Sequence, residues 1–180
     1  KLYLVFLGGK AKGSHIENHD IRWVVGETIE STFSELRNQW FGEAKGLHID
    51  SYTIIKYIDG YEINLTNTNV NKKIPSKNKR EKLWFVNIGG YNPELMNELH
   101  EFTLVVADSA NRAKNKAKSN LLSNSSGKHI DNLSNLAICL GIDDCLQIKK
   151  IGEWEIELIV DTKSRSQRMI PDWFGYRRID

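Results

Sequence analysis

The sequence predicts an α+β protein made by tandem duplication of a ββαββ unit, with antiparallel sheets, one helix per copy and a pseudo-twofold arrangement. Three observations lead there. First, the chain repeats itself at a step of 81 residues: Lys1-Leu2-Tyr3-Leu4-Val5 returns as Lys82-Leu83-Trp84-Phe85-Val86, Gly8-Gly9 as Gly89-Gly90, and Gly46-Leu47-His48-Ile49-Asp50 as Gly127-Lys128-His129-Ile130-Asp131. Without a gap, 13 of the first 50 residues meet an identical partner, where composition alone gives roughly 3. Second, each copy reads as two strands, a helix and two more strands. Third, Leu2–Leu7 is apolar at every position, so both faces of its sheet are covered. One helix covers one face, and the cheapest cover for the other is the second copy.

In the first copy, Leu2–Leu7 forms a strand that Gly8-Gly9 ends, and residues 10–18 are polar and irregular. Ile21–Val25 is a second strand, rich in β-branched and aromatic residues. Thr28 can cap a helix whose buried stripe is Ile29, Phe33, Leu36 and Trp40, with Gly42 as its stop. Tyr52–Ile58 is a third strand. Asp59-Gly60 marks a tight hairpin, and Tyr61, Ile63 and Leu65 alternate with polar residues along the fourth strand. The boundaries that follow are 1–66 for the first copy, 67–81 for a polar basic linker, 82–160 for the second copy and 161–180 for an aromatic tail.

The linker has too few apolar groups to offset the entropy of ordering, and its lysines read as solvating charge. In the second copy Leu83–Ile88 and Phe102–Val106 are strands. Ser109 takes the place of Thr28, and Ala110, Ala113, Ala117 and Leu121 form a seam of small side chains that lets the helix approach its sheet closely. The lysines and arginine around that seam read as a solvated face. About twelve extra residues lie between His129 and Leu140. Leu146–Ile151 and Trp154–Ile159 are the last strands, the latter with Trp154, Ile156 and Leu158 inward. The tail holds Trp173, Phe174 and Tyr176, which reads as a clasp over the other copy, or as a wall of a pocket.

Bulk properties exclude several classes. No apolar run approaches a membrane span, and a net charge of +2 is too weak to imply a nucleic-acid partner by itself. Cys139 and Cys145 have neither disulfide nor metal spacing and suit a reduced, cytoplasmic protein as packed thiols. No leader is visible. A small molecule or a protein is favoured as partner over nucleic acid, which could be reached only through the basic linker and second helix.

Together, Lys-Leu-Tyr-x-Val-x-Leu-Gly-Gly at the start, Glu-x-His-Asp at 17–20, Trp40-Phe41-Gly42, Gly-Leu-His-x-Asp-Ser-Tyr at 46–52 and Pro-Asp-Trp-x-Gly-Tyr at 171–176 resemble the bacterial family catalogued as domain of unknown function 1543. The resemblance implies one or two copies of one domain and brings no activity, cofactor or catalytic residue. The second copy departs from it, with Glu101 for Asp20 and Asn132-Leu133 for Ser51-Tyr52.

The candidate site comes from the histidines. Of five, four stand at repeat-equivalent places, His19 with His100 and His48 with His129. Each has acidic neighbours: Glu17, Asp20 and Asp50 in the first copy, Glu98, Glu101 and Asp131 in the second. Residues two apart in extended chain project to one side, so Glu17 with His19, and His48 with Asp50, would gather in the loops feeding strands two and three. Three readings compete. In the first, the pairs only pin irregular loops. In the second, they bind a divalent metal, for which imidazole and carboxylate are suitable donors, although no His-Glu-x-x-His motif is present and the sequence does not favour it. In the third, a histidine held by a carboxylate does acid–base work. The expectation is a non-catalytic ligand-binding or interaction protein, with a small metal-dependent or acid–base enzyme as the alternative. Gly8-Gly9-Lys10 is no phosphate loop. Its glycines recur and its lysine does not, so close backbone approach explains it.

Overall fold

A computed structural model describes residues 1–70, 80–91, 94–123 and 141–180, with the side chains of 121–123 left aside. Among the described residues, eleven strands and two α-helices run in the order β1 (Leu2–Gly9), β2 (Asn18–Val25), α1 (Phe33–Gln39), β3 (His48–Ile55), β4 (Tyr57–Ile58), β5 (Tyr61–Asn67), β6 (Lys82–Gly90), β7 (Leu99–Ala107), α2 (Ala110–Ser123), β8 (Gly141–Gln147), β9 (Lys150–Ile151), β10 (Trp154–Val160) and β11 (Trp173–Arg178). All pairings are antiparallel. The class is therefore α+β.

The first strand is covered on both faces, as its composition requires. Tyr3, Val5 and Leu7 pack with Ile29, Leu36 and Trp40 beside α1. Leu2 and Leu4 turn the other way, into a core shared with Leu83, Phe85, Leu104 and Val106 of the second copy. Trp23 against Phe85 and Phe6 against Phe102 join the two sheets there. On the outer face of β6, Trp84, Val86 and Ile88 meet Ala113 and Ala117 of α2, both fully buried. Small side chains let that helix lie close.

The strands of two hairpins run together. β5 pairs with β10, Ile63 beside Leu158 and Leu65 beside Ile156, so the two hairpins make one sheet in the order β4-β5-β10-β9. The remaining sheets are β11-β3-β1-β2 and β7-β6-β8. At the first hairpin turn Asp59 and Gly60 have φ of 52° and 82°, the two positive values a type I′ turn needs.

Three expectations are corrected. The second strand begins at Asn18 rather than Ile21, so His19 and Asp20 lie in the ladder and not in a feeding loop; His48 and Asp50 likewise belong to β3. The third strand of each copy is two pieces. β3 stops at Ile55, and the freed amides of Lys56 and Tyr57 donate to the Gln167 side chain at 2.7 and 3.1 Å; in the second copy the break falls between β8 and β9. The first helix is also shorter than its apolar stripe: a 3-10 turn, Glu30–Thr32, precedes it, with the Ser31 amide donating to Thr28 Oγ1 at 3.4 Å. In the second copy the Ser109 carbonyl accepts the first helical bond from Ala113, while its hydroxyl turns to Asp108.

The tail is a clasp in the form of a strand. β11 adds to the edge of β3, Trp173 stacks on Tyr52, and Asp172 accepts from the Ile54 amide at 2.6 Å. The central part of the linker, residues 71–79, lies outside the described residues, as do His129, Asp131 and Cys139.

Candidate functional site

Register decides which of the expected residues meet. His19 pairs with Gly8 on β1, and Gly8 pairs with His48 on β3. The glycine between them has no side chain, so both imidazoles can lean over it. A Cβ there would stand 2.5 Å from His48 Nε2 and 2.9 Å from Asp50 Oδ2. This close approach is why the glycine is needed.

Asp50 reaches the cluster through a β-bulge. Leu7 pairs with Ile49 but Phe6 with Ser51, leaving Asp50 as the extra residue, and such a bulge re-aims one side chain. The result is two imidazoles and two carboxylates. His19 Nε2 lies 3.6 Å from Glu17 Oε2 and 3.3 Å from Asp50 Oδ2; His48 Nε2 lies 3.5 Å from Glu17 Oε1 and 3.2 Å from Asp50 Oδ1. None of these contacts is a well-directed hydrogen bond. His48 is 1% exposed, and its Nδ1 contacts the Gly46 carbonyl at 2.8 Å. A carbonyl only accepts, so Nδ1 carries the proton and Nε2 faces the carboxylates. Asp50 Oδ2 is buried without a hydrogen-bond partner. Phe6 stacks on His19, and Tyr176 of the clasp covers His48 with ring centroids 4.1 Å apart.

Asp20 is not part of this cluster. Strand alternation turns it to the opposite face, where it binds Arg22, which also donates to the Gln39 carbonyl at the end of α1. Glu101, beside Ile88 in the ladder, is likewise on the face away from His100.

The second copy rebuilds the frame with different contents. The same bulge recurs: Ile88 pairs with Ile142 and Asn87 with Asp144, leaving Asp143 as the extra residue. Gly141-Ile142-Asp143 thus stands where His48-Ile49-Asp50 stands, and Asp143 rather than Asp131 answers Asp50. The extra residues precede this segment instead of following it, so a glycine replaces the second imidazole. His100 contacts Asp143 Oδ2 through Nδ1 at 3.2 Å, Asn87 donates to the same carboxylate at 3.3 Å, and Glu98 accepts from the Tyr91 hydroxyl, which raises the Tyr91 pKa. The recurring Ile-Asp dipeptide was the available sequence clue to Asp143. Tyr176 was visible only as part of an aromatic cluster. Among the described residues, no group of three or more His, Cys, Asp or Glu is placed so that it could hold a metal ion. Cys145 is a half-buried free thiol whose pKa burial raises.

The model of the Domain of Unknown Function DUF1543 matches residues 14–65 and again 95–146, more than half of the chain. The chain belongs to the DUF1543 family. Both matches contain a Glu-x-His segment and a bulged aspartate, while β1 with Gly8 and β6 with Gly89 lie outside them. Among solved structures this DUF1543 protein is similar to protein Il1583 from Idiomarina loihiensis, with 35% identity, a TM-score of 0.73, and coverage of 99% of this chain and 97% of that one. No curated protein matches. No helix among the described residues is long and apolar enough to cross a membrane.

Proposed function

We propose that this DUF1543 protein is a non-catalytic ligand-binding protein whose competent site lies in its first copy. Glu17, His19, His48 and Asp50 form that site, and the second copy keeps its frame for structure. The observation that carries this reading is the contrast between the two bulges. Around Asp143 the carboxylates are occupied by His100, Asn87 and Tyr91. Around Asp50 a buried carboxylate oxygen has no hydrogen-bond partner and an imidazole nitrogen points at two acids. Buried polar groups are normally satisfied, so an unsatisfied cluster beside half-exposed side chains suits a ligand.

The same reading takes the chain as two ββαββ copies about a pseudo-twofold axis, spanning 1–66 and 82–160, with 161–180 as clasp. Matching registers at Gly8 and Gly89, matching bulges and the β5–β10 pairing support it. The test is a thermal-shift screen of the full chain against small cationic and polar molecules, with Asp50→Asn and His100→Ala in parallel. The expected result is stabilisation that Asp50→Asn abolishes and His100→Ala leaves intact. Hits that shift both variants equally would defeat the assignment.

A further inference from the structure

We propose that a cavity at the Leu2 end of β1 binds a small apolar monocarboxylate, whose carboxylate takes in the first copy the place that the Asp59 side chain takes in the second. This site goes beyond the histidine cluster, since Gly8 stands at the other end of the same strand. The cavity has a volume of about 480 Å³, within the range of about 300–1,000 Å³ typical of small-molecule sites. Leu2, Ile55, Ile63, Leu65 and Trp154 give it apolar walls, and Val25 of the edge strand β2 lines it too.

The repeat shows what this cavity lacks. In the second copy the Val106 amide points away from β6 and donates to Asp59 Oδ2 at 2.7 Å. Val25 pairs with Leu2 as Val106 pairs with Leu83. Beside them Lys1 and Gly26 exchange both backbone bonds, at 2.9 and 3.1 Å. Hydrogen-bonded and non-hydrogen-bonded pairs alternate along an antiparallel ladder, so the Val25 amide also points away from β1. Among the described residues, nothing accepts from it. The turn that answers Asp59-Gly60 is Gly152-Glu153: Ile58 and Tyr61 flank the first, Ile151 and Trp154 the second. β9 lies against β2 as β4 lies against β7. Gly152 has a φ of 54° where Asp59 has 52°, so the backbone is kept and the carboxylate is lost. Glu153 does not replace it, because its carboxylate accepts from Asn67 at 3.4 Å.

Charge selects the class of ligand. In the second copy Lys116 Nζ lies 2.9 Å from Asp59 Oδ2 and balances it. Around the cavity Lys1 and Lys56 face a single acid, Glu27, so the balance favours an anion. A carboxylate accepts from a backbone amide more strongly than a neutral oxygen does. The apolar walls take one alkyl or aryl group, and a second charge against them would be buried without a partner. A monocarboxylate with an apolar body meets all three conditions.

The experiment titrates the full chain with 3-phenylpropionate, and with 3-phenylpropanamide as its neutral counterpart, by calorimetry and by amide NMR. The expected result is a saturable downfield shift of the Val25 amide proton with the acid, and an affinity for the neutral compound lower by about 10–100-fold, the loss of one hydrogen bond to a charged group. Gly152→Asp returns the missing carboxylate from within the chain. Aspartate tolerates the left-handed φ of that position, and a Cβ there meets nothing within 4 Å. This variant is expected to bind the acid about 10–100-fold more weakly than wild type. No saturable shift at Val25, equal affinity for acid and amide, or undiminished binding of the acid by folded Gly152→Asp would overturn the proposal. Should that variant not fold, the comparison of acid with amide on the wild-type chain decides alone.

Discussion

Gly8 lies directly beneath His48: a Cβ on Gly8 would come within 2.5 Å of Nε2 of that ring. The first strand and the cluster are therefore one packing unit. Gly8→Ala forces a buried imidazole and a bulged aspartate to shift, and overpacking of this kind costs about 1–3 kcal/mol. Gly141→Ala, at the place that His48 takes in the first copy, meets nothing nearer than Asp143 Oδ1 at 3.8 Å and is expected within about 1 kcal/mol of wild type. Urea unfolding of the two variants checks the contrast. Equal stabilities would show that the cluster gives way freely.

Tyr176 lies over His48, which is only 1% exposed. Its ring lies 4.1 Å from that of His48, while the Tyr176 residue itself is 65% exposed. The contact is thus one-sided, and an aromatic pair of this kind contributes about 0.5–1.5 kcal/mol. Tyr176→Ala is expected to lose that much and to open His48 to carbethoxylation, a modification that needs access to the ring. Tyr176→Phe keeps the ring and is expected to behave as wild type in both assays. Modification of His48 at the same rate in all three proteins would rule out the cover.

Asp161 ties the start of the clasp to the first hairpin. It accepts from the Arg165 amide and guanidinium at 2.8–2.9 Å, and Arg165 in turn lies 3.7 Å over the Tyr57 ring. The Arg165 side chain and amide hold the Asp161 carboxyl well below the usual carboxylate range. With the folded pKa depressed, the stability contributed is fully present above the unfolded value of about 3.9 and is lost as pH falls through the lower folded value. Asp161→Asn should melt below wild type at pH 7, and the gap should narrow from about pH 4 downward. Melting curves between pH 7 and pH 2.5 decide it. A gap independent of pH would mean that shape, not charge, is what Asp161 supplies.

The alternation along β1 announced two covered faces, and the shared core bears this out through Leu2 and Leu4 on one side and Tyr3, Val5 and Leu7 on the other. Asp59-Gly60 announced its turn because a type I′ hairpin restricts its central residues so strongly. The cluster was half legible. Glu17, His19, His48 and Asp50 can be named from spacing, whereas spacing does not tell that Asp20 points away from them, which depends on β2 beginning at Asn18. A strand that begins at Asn18 sends neighbours His19 and Asp20 to opposite faces. Asp143 was hidden by the insertion before β8, since an ungapped repeat assigns its role to a residue twelve positions earlier. A bulge has no composition of its own, so the equivalence of Asp50 and Asp143 needed the register.

Asp59 links the copies at a point where the chain's local and long-range needs coincide. Its Oδ2 accepts from the Val106 amide at 2.7 Å and from Lys116 Nζ at 2.9 Å. Val106 lies on β7, an edge strand of its sheet, so this aspartate supplies a partner that no neighbouring strand provides. Deleting the acceptor leaves a part-buried amide unpaired, at about 1–3 kcal/mol. Asp59 also has a φ of 52°, so the deletion should be Asp59→Gly, which tolerates that conformation, rather than alanine. Asp59→Asn retains an acceptor and is expected to lose less. Lys116→Met should lose under about 1 kcal/mol, because the Lys116 side chain is 40% exposed and its ion pair is screened. Urea unfolding with fluorescence at the five tryptophans and far-UV circular dichroism checks all three. Since Leu2 and Leu4 share one core with Leu83 and Phe85, each variant should still unfold in a single transition seen alike by both probes. Separate transitions would mean that the copies hold together without that core.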